Sequence, residues 1–311
     1  MRLDLAVARA FALSRRAARE AVRAGRIDVD GVTRDEPGRE IPQDASLRYD
    51  PNRPEKRRVR SRLTVLYEDE DLLVADKPAG LLSVPTAERE KDTLLHRALS
   101  YLQHRYRRRP YLGVVHRLDK DTSGALVFAR NHRSLRFLQE LFRRHAIERE
   151  YVALVEGNPP ASGTFDAALV RETPGRRRAI APPGAGGKRA VTHWVSVERW
   201  PRAALVSIRL ETGRTHQIRL HFAAAGHPVL GDRVYRRSEV APPVEAPRQM
   251  LHARRLGFLH PRSGAPVAAV SPLPDDFTHA IAALRSQKSA PTPSGRSGKT
   301  ARERPTRRGR R

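Results

Sequence analysis

Two hydrophobic periods alternate along the chain and predict an α+β protein. Near the N-terminus, Leu3, Val7 and Phe11 lie at the spacing of one helix face. From residue 63 onward, most apolar residues fall in short runs bounded by Gly, Pro and charged residues, which is typical of strands. A few segments with helical spacing interrupt these runs, so we expect a sheet core with helices added to it.

The pattern predicts a small N-terminal domain over residues 1–50. A second helix is predicted at residues 15–24, with Ser14 as its N-terminal cap and glycine as its C-terminal cap. Two short alternating segments then flank Asp30-Gly31, a strong signal for a two-residue hairpin. The second helix carries a basic face that favours contact with RNA phosphates, the alternative being an ordinary solvated face. This face consists of Arg15, Arg16, Arg19 and Arg23.

A larger domain is predicted over residues 63–285. Its first strands are predicted at 63–67 and 72–75, on either side of an acidic turn. Lys77 follows in a Lys-Pro-Ala-Gly stretch that breaks the sheet. We interpret this block as positioning a strand beside an active site, the alternative being an ordinary surface lysine. After Asn131, a helix is predicted from a stripe that comprises Leu135, Leu138, Leu141 and Phe142.

Three further segments of this domain have distinct patterns. Residues 102–110 mix four arginines with a histidine and a tyrosine, which suits phosphate contact and base stacking or, equally, the end of an amphipathic helix. Residues 171–189 are rich in Gly and Pro without a hydrophobic period, and predict a long flexible hairpin loop whose cations become ordered on RNA. A helix is predicted from about residue 215 to residue 225, with Gly226 as its cap.

Charge strengthens the case for a polyanionic partner. The 311 residues include 60 Lys and Arg against 34 Asp and Glu, a net charge of +26, which favours nucleic acid, with a membrane surface as the competing partner. No apolar segment approaches the ~20 residues of a membrane span, so we expect no membrane partner. Cysteine is absent, which excludes disulfides and thiolate metal sites and is typical of cytoplasmic proteins. Residues 51–62 predict a linker, and residues 286–311 predict a disordered basic tail.

The densest cluster of reactive side chains occupies residues 113–130, which read G-V-V-H-R-L-D-K-D-T-S-G-A-L-V-F-A-R. Two apolar runs, predicted as buried strands, enclose a turn of polar residues. Polar side chains held between rigid strands are a common arrangement in catalytic sites, the alternative being a solvated charged hairpin.

This block resembles the H-R-L-D-x-x-T-S-G signature of the RluA family of pseudouridine synthases. Residues 148–157 resemble that family's K-x-Y-x-A-x-V-x-G motif, with Arg149 as the cation before the tyrosine. Residues 210–221 and 226–232 resemble L-x-T-G-R-T-H-Q-I-R-x-H followed by G-H-P-V-L-G-D, and a closing L-H-A-x-x-L begins at Leu251. The N-terminal residues, including L-S-R-R-A-A-R-E-A-V-R-A-G-R-I-D-V-D-G, resemble an S4-type RNA-binding domain.

The resemblance implies a fold and a set of roles. It implies a mixed, largely antiparallel sheet beside an RNA cleft. It makes Asp119 the catalytic carboxylate, Arg214 its ion-pair partner, and Tyr151 the residue that stacks on the target base and assists the final proton transfer. We expect Arg117 and His116 to hold a phosphate or to fill the place of the flipped uridine. The remaining RNA contacts expected in this domain are Arg107, Arg108, His216 and Gln217.

The implied reaction is the isomerisation of uridine to pseudouridine in structured RNA. No electron or group enters or leaves, so we expect neither a metal nor another cofactor. A carboxylate is needed near the sugar, and a neighbouring cation keeps it ionised. Whether Asp119 attacks the sugar, attacks the base or abstracts a ribose proton stays open. We expect large-subunit rRNA as the substrate, with tRNA as the alternative, and a monomeric enzyme.

Two other classes of function stay open at this stage. The chain could be a non-catalytic rRNA-binding assembly factor that uses the same surface. It could also be a metal-dependent RNA hydrolase built from His116, Asp119, His216 and His221. The two last histidines are five residues apart and so do not share a helix face, and an arginine beside Asp119 would oppose metal binding.

Overall fold

The computed structural model describes residues 1–53, 63–107, 109–171, 178–182, 184, 186–236 and 240–288. The chain divides into two compact units, Met1–Arg62 and Leu63–Arg311. Most of the predicted linker, Arg108 and the tail from residue 289 lie outside the described residues. Across the described ranges, every helix is too short or too polar to cross a membrane.

The first unit is built as its sequence pattern predicts. Helices α1 (Leu3–Ala10) and α2 (Arg15–Arg23) pack on a three-stranded antiparallel sheet in the order β2-β1-β3. The Ser14 hydroxyl accepts a hydrogen bond from the backbone N–H of Ala17 at 3.1 Å, which confirms the predicted cap. Asp30 and Gly31 both have positive φ, as the predicted hairpin turn requires. The strands are β1 (Ile27–Val29), β2 (Val32–Arg34) and β3 (Leu47–Tyr49).

The second unit is a mixed sheet of eleven strands with four helices among its described residues. Its main path runs β10-β9-β11-β12-β8-β13-β7-β5-β4, with β14 paired to β13 and β6 paired to β7. Among the strand pairs of the described residues, only β7–β13 is parallel, so the predicted mixed, largely antiparallel sheet is confirmed. In chain order the elements are β4 (Thr64–Glu68), β5 (Leu72–Lys77), α3 (Leu94–Tyr106), β6 (Gly113–Val114), β7 (Ser123–Ala129), α4 (His132–Arg143), β8 (Glu148–Glu156), β9 (Ser162–Arg171), β10 (Arg178–Ile180), β11 (Lys188–Trp200), β12 (Ala203–Leu210), α5 (Gln217–Ala224), β13 (Leu251–Leu259), β14 (Pro266–Val270) and α6 (Asp275–Lys288).

The central strands of the sheet have a hydrophobic core on each face. Successive residues of these strands point to opposite sides of the sheet and so contribute to both cores. On β8, Tyr151 and Ala153 join the core that contains Phe222 of α5, whereas Leu154 joins the core that contains Phe277 of α6. The central strand therefore places Tyr151 on the same face of the sheet as α5.

The prediction of a flexible hairpin loop at residues 171–189 is wrong in part. The segment joins the antiparallel strands β9 and β11, as a hairpin does, but strand β10 lies within it and β11 begins at Lys188. Ile180 of β10 pairs with Leu169 of β9 and packs beside Tyr235. This apolar cross-strand pair stabilises β10, although the strand is too short to show a hydrophobic period in the sequence. Residues 172–177, 183 and 185 lie outside the described residues.

Candidate active site

Asp119 lies in the loop between β6 and β7, and neighbouring peptide groups hold this loop in place. Ser83 donates its hydroxyl to the carbonyl of Leu118 at 2.8 Å and accepts from the backbone N–H of Leu118 at 3.0 Å. On the other side of Asp119, the Lys77 ammonium donates to the carbonyl of Lys120 at 2.8 Å. The backbone is therefore fixed immediately before and immediately after Asp119.

Lys77 is fully buried, so the surface-lysine alternative is wrong. Its Nζ also donates to the carbonyls of Pro78 and Leu81, at 3.0 and 2.7 Å. Three carbonyl acceptors match the three hydrogens of an ammonium group. Burial lowers the pKa of Lys77 to about 7, against the opposing attraction of nearby carboxylates, Asp121 first among them. The Lys-Pro-Ala-Gly block thus holds the Asp119 loop from within.

The far end of the loop is held by Arg248. Its guanidinium donates to the carbonyl of Asp121 at 3.0 Å and to the Ser123 hydroxyl at 3.2 Å, while the carboxylate of Asp276 accepts from its Nε and Nη2. Gly124 follows with φ at 118°, where a Cβ atom would lie 2.3 Å from the carbonyl oxygen of Ala253. Only glycine permits this close approach of β7 to its parallel neighbour β13.

The Asp119 carboxylate forms an ion pair with Arg219 of α5. Nη1 of Arg219 donates to Oδ2 of Asp119 at 3.1 Å. The remaining nitrogens Nε and Nη2 donate to the two carboxylate oxygens of Asp232, at 2.7 and 2.9 Å. Because this second pair is bidentate and buried, it fixes the guanidinium plane and aims Nη1 at Asp119. Burial acts to raise the pKa of Asp232, but the hydrogen bonds and charge of Arg219 outweigh it and hold that pKa below its usual range.

Two further side chains complete the surroundings of Asp119. His216, at the N-terminal end of α5, has its Nε2 3.8 Å from Oδ2 of Asp119 and its Nδ1 2.7 Å from the Tyr235 hydroxyl. Tyr151 of β8 is 9% exposed. Burial raises the pKa of the Tyr151 hydroxyl; the positive charge of Arg149 opposes this shift, and the negative charge of Asp119 adds to it. The site therefore combines a carboxylate, a fixed guanidinium and a protonated phenol.

Comparison with known proteins identifies the family to which the chain belongs. A family model described as RNA pseudouridylate synthase matches residues 71–224, and an S4 domain model matches residues 1–45. A Zymomonas mobilis protein named ribosomal large subunit pseudouridine synthase D is 41% identical over 225 residues, covering 69% of this chain and 70% of its own.

The chain belongs to the RNA pseudouridine synthase family.

Other relatives extend this match across nearly the whole chain. An RNA pseudouridine synthase of Mycobacterium bovis, named as uncharacterised, is 36% identical over 301 residues, covering 92% of this chain and 95% of its own. The solved structure titled human RNA pseudouridylate synthase domain containing 4 matches with a TM-score of 0.60 at 24% identity, covering 71% of this chain and 93% of that one, and so shares the fold. The predicted family, the enzyme class and the N-terminal S4 domain are confirmed.

The predicted pairing of Arg214 with Asp119 is corrected by the structure of this pseudouridine synthase. Arg214 is exposed, and its Nε donates to the carbonyl of Arg189 on β11 at 3.2 Å. Helix α5 begins only at Gln217, so Arg214 precedes it, and among the described residues the guanidinium bonded to Asp119 is that of Arg219. Arg219 lies within the helix and faces inward. Arg219 is the second arginine of the motif at residues 210–221, for which the sequence resemblance implies no role.

Two residues predicted to bind RNA instead hold the fold of the synthase. Gln217 is buried, and its amide nitrogen donates to the carbonyl of Val191 while its amide oxygen accepts from the Thr212 hydroxyl. His116 stacks on Phe142 with ring centres 4.7 Å apart. Its Nε2 accepts from a backbone N–H of β7. Burial lowers the pKa of His116 to about 3, so it carries no charge for a phosphate at neutral pH.

Arg149, the cation of the second motif, is also turned inward. It is 7% exposed, and its Nη2 donates to the carbonyls of Leu210 and Glu211 at 3.2 and 2.7 Å. It therefore holds the segment that leads from β12 toward α5. The resemblance to the second motif identified Arg149 as the cation before the tyrosine. Its hydrogen bonds to the carbonyls at the end of β12 are apparent only from the structure.

The arginines expected to contact RNA are exposed where the structure describes them. This holds for Arg117 in the Asp119 loop, for Arg107 at the end of α3, and for all four arginines of α2. On α2, Arg16 pairs with Glu20 and Arg19 pairs with Asp4. Arg15 and Arg23 form no ion pair within the described ranges, and Arg108 lies outside them. RNA contact by these residues stays a prediction.

The four residues of the metal-hydrolase hypothesis do not converge. His221 is buried and its Nδ1 is 2.9 Å from the Thr192 hydroxyl, while His116 packs against Phe142. Neither ring faces Asp119, whose carboxylate instead meets Arg219. A guanidinium at this distance disfavours a cation on the same carboxylate oxygen. The arrangement therefore suits a metal-free carboxylate.

Proposed function

We propose that this enzyme isomerises specific uridines of large-subunit rRNA to pseudouridine, with Asp119 as the catalytic carboxylate. The relative from Zymomonas mobilis bears the name ribosomal large subunit pseudouridine synthase D. The S4 unit and the net charge of +26 suit a large folded RNA. The observation that carries the proposal is the ion pair of a partly exposed Asp119 with Arg219, whose guanidinium is itself fixed by Asp232.

The reaction requires an ionised carboxylate held in one orientation. The N1–C1′ bond of uridine breaks, the uracil turns, and a C5–C1′ bond forms; C5 then loses a proton and N1 gains one, so atoms and charge balance. A carboxylate can assist as a nucleophile or as a proton acceptor. Both roles need the charged form, which a guanidinium within hydrogen-bond distance favours.

Each neighbour of Asp119 has a distinct part in the proposal. Arg219 keeps the carboxylate ionised and oriented, a role that the sequence resemblance had assigned to Arg214. Tyr151 stacks on the flipped uracil. Because burial keeps its phenol protonated, the hydroxyl assists the final transfer as a relay, which accepts the proton from C5 as it gives up its own proton toward N1. Arg117, exposed two residues before Asp119, contacts the RNA backbone next to the flipped nucleotide.

The test is to map pseudouridines in rRNA and tRNA from a strain that lacks the gene. Complementation with wild type should restore every lost site in large-subunit rRNA, and Asp119→Asn should restore none. Asp121→Asn is the matched control, because this carboxylate is exposed in the same loop and should restore all sites. Purified Asp119→Asn should bind RNA with unchanged affinity while turnover falls by about 1,000-fold or more.

Each contrary result has a defined meaning. Restoration of the sites by Asp119→Asn would reject the catalytic assignment. Loss of sites in tRNA alone would retain the reaction and replace the substrate. Loss of no site, together with a growth or assembly defect that Asp119→Asn repairs, would favour the non-catalytic assembly factor.

A further inference from the structure

Two side-chain nitrogens lie near a single oxygen of Asp119. Nη1 of Arg219 lies 3.1 Å from Oδ2, and Nε2 of His216 lies 3.8 Å from the same atom. Oδ1 accepts no hydrogen bond from any described residue, although the Asp119 side chain is 25% exposed. The two oxygens of the carboxylate are therefore in different environments: Oδ2 faces the protein donors, and Oδ1 is the oxygen available to substrate.

The hydrogen position on His216 follows from its second neighbour. The backbone N–H of Arg178 donates to the Tyr235 hydroxyl at 3.3 Å, so this oxygen acts there as an acceptor. Burial raises the pKa of Tyr235, so the phenol keeps its own hydrogen and can donate it to Nδ1 of His216, which lies 2.7 Å from the hydroxyl oxygen. An imidazole whose Nδ1 accepts must carry its hydrogen on Nε2, the nitrogen that faces Asp119.

Burial favours this neutral form of His216. It lowers the pKa of His216 below its ordinary value; the negative charges of Asp119 and Asp232 oppose the shift, and the positive charges of Arg219 and Arg178 add to it. The residue also has φ at 58°, in the left-handed region. A strained backbone held at such a site indicates a constrained orientation of the ring.

We propose that His216 and Tyr235 act as a positioning pair, in which the Tyr235 hydroxyl fixes the His216 tautomer so that Nε2–H is directed at Oδ2 of Asp119 and Oδ1 is left for the uridine. This inference rests on the proposed catalytic role of Asp119. The separation of 3.8 Å is longer than a hydrogen bond, and a movement of less than about 1 Å closes it when substrate binds. A second donor on Oδ2 prevents the carboxylate from rotating about its bond.

A double-mutant cycle tests the pair. Tyr235→Phe keeps the ring beneath the Arg219 guanidinium but removes the hydroxyl. His216→Asn tolerates the left-handed backbone but is too short to reach Asp119. Each change should lower kcat by about 10-fold to 100-fold with KM within about 2-fold, as found for residues that orient a reacting group. The double variant should be no slower than His216→Asn alone, because the hydroxyl acts only through the imidazole.

A spectroscopic measurement reports the tautomer directly. Nitrogen NMR of the full-length protein should show His216 with its hydrogen on Nε2, and this state should be lost or mixed in Tyr235→Phe while the thermal midpoint stays within a few degrees. Wild-type kcat in both single variants, or multiplicative losses in the double variant, would overturn the inference. The Asp119→Asn variant tests the proposed function separately. If Asp119→Asn is active, the catalytic role of Asp119 is rejected; if it is inactive, the results for His216 and Tyr235 bear on the positioning pair alone.

Discussion

Nη1 of Arg219 lies 3.1 Å from Oδ2 of Asp119, across 100 residues of sequence. The same guanidinium is held on its other side by the buried carboxylate of Asp232. The bidentate pair with Asp232 fixes the orientation of the Arg219 guanidinium and leaves its Nη1 directed at Asp119. It also assigns the ion pair to Arg219, whereas the sequence resemblance had assigned it to the other arginine of the motif, Arg214.

Arg219→Lys should lower kcat by about 100-fold or more, because an ammonium cannot satisfy both Asp232 oxygens and Asp119 in one plane. Arg214→Ala is the matched control, and should change kcat by less than about 5-fold, since its Nε contacts only a backbone carbonyl of β11. The measurement is pseudouridine formation on an rRNA fragment under single-turnover conditions. A larger loss for Arg214→Ala would return the ion-pair role to Arg214.

Lys77→Met should destabilise the protein by about 3 kcal/mol, because three buried carbonyls lose their donor while the shape of the side chain is kept. The matched control is Lys120→Met, whose side chain is exposed in the same loop and which should change stability by less than about 0.5 kcal/mol. Urea unfolding measures the difference. An unchanged midpoint for Lys77→Met would mean that the ammonium contributes nothing to the loop.

The unfolding free energy should fall by about 2–3 kcal/mol between pH 6.5 and pH 4 through His252 alone. Burial lowers the pKa of this fully buried ring to about 4, against an ordinary value of 6.5. In that window the unfolded chain binds a proton that the folded protein excludes, so stability rises with pH and is fully present above about pH 6.5.

His252→Gln, neutral at every pH, should remove about one proton from this dependence, whereas His104→Gln, at an exposed histidine of α3, should leave the slope as in wild type. Denaturant unfolding at a series of pH values gives the slopes. The explanation fails if His252→Gln and wild type have parallel profiles.

Arg15→Ala combined with Arg23→Ala should weaken RNA binding about uniformly across sequences and reduce the magnitude of the salt slope of log K by about two. These two exposed arginines of α2 have no ion-pair partner among the residues that the structure describes. Arg16→Ala is the control, since Arg16 already pairs with Glu20 and should have the smaller effect. Filter binding from about 50 to 200 mM salt measures the slopes. Unchanged slopes in the double variant would remove α2 from the RNA surface.

Sequence patterns predicted the structure correctly where the contacts that stabilise an element are formed by residues close to it in the chain. The Ser14 cap, the Asp30-Gly31 turn and the strands on either side of Asp119 are present as predicted. Strand β10 was not predicted because it is only three residues long and is stabilised by its pairing with β9. The flexible-loop prediction therefore failed where a short segment is ordered by its neighbour.

The sequence by itself determined the family, the α+β fold and the identity of the loop that carries Asp119, because motif order, turn residues and hydrophobic period are written along the chain. Tertiary structure decided the direction of each side chain. It turned Gln217 inward, buried Lys77, and placed Arg219 rather than Arg214 against Asp119. Ion pairs between distant residues depend on where a helix begins and which face it buries, and these are set by packing against the sheet rather than by spacing within a motif.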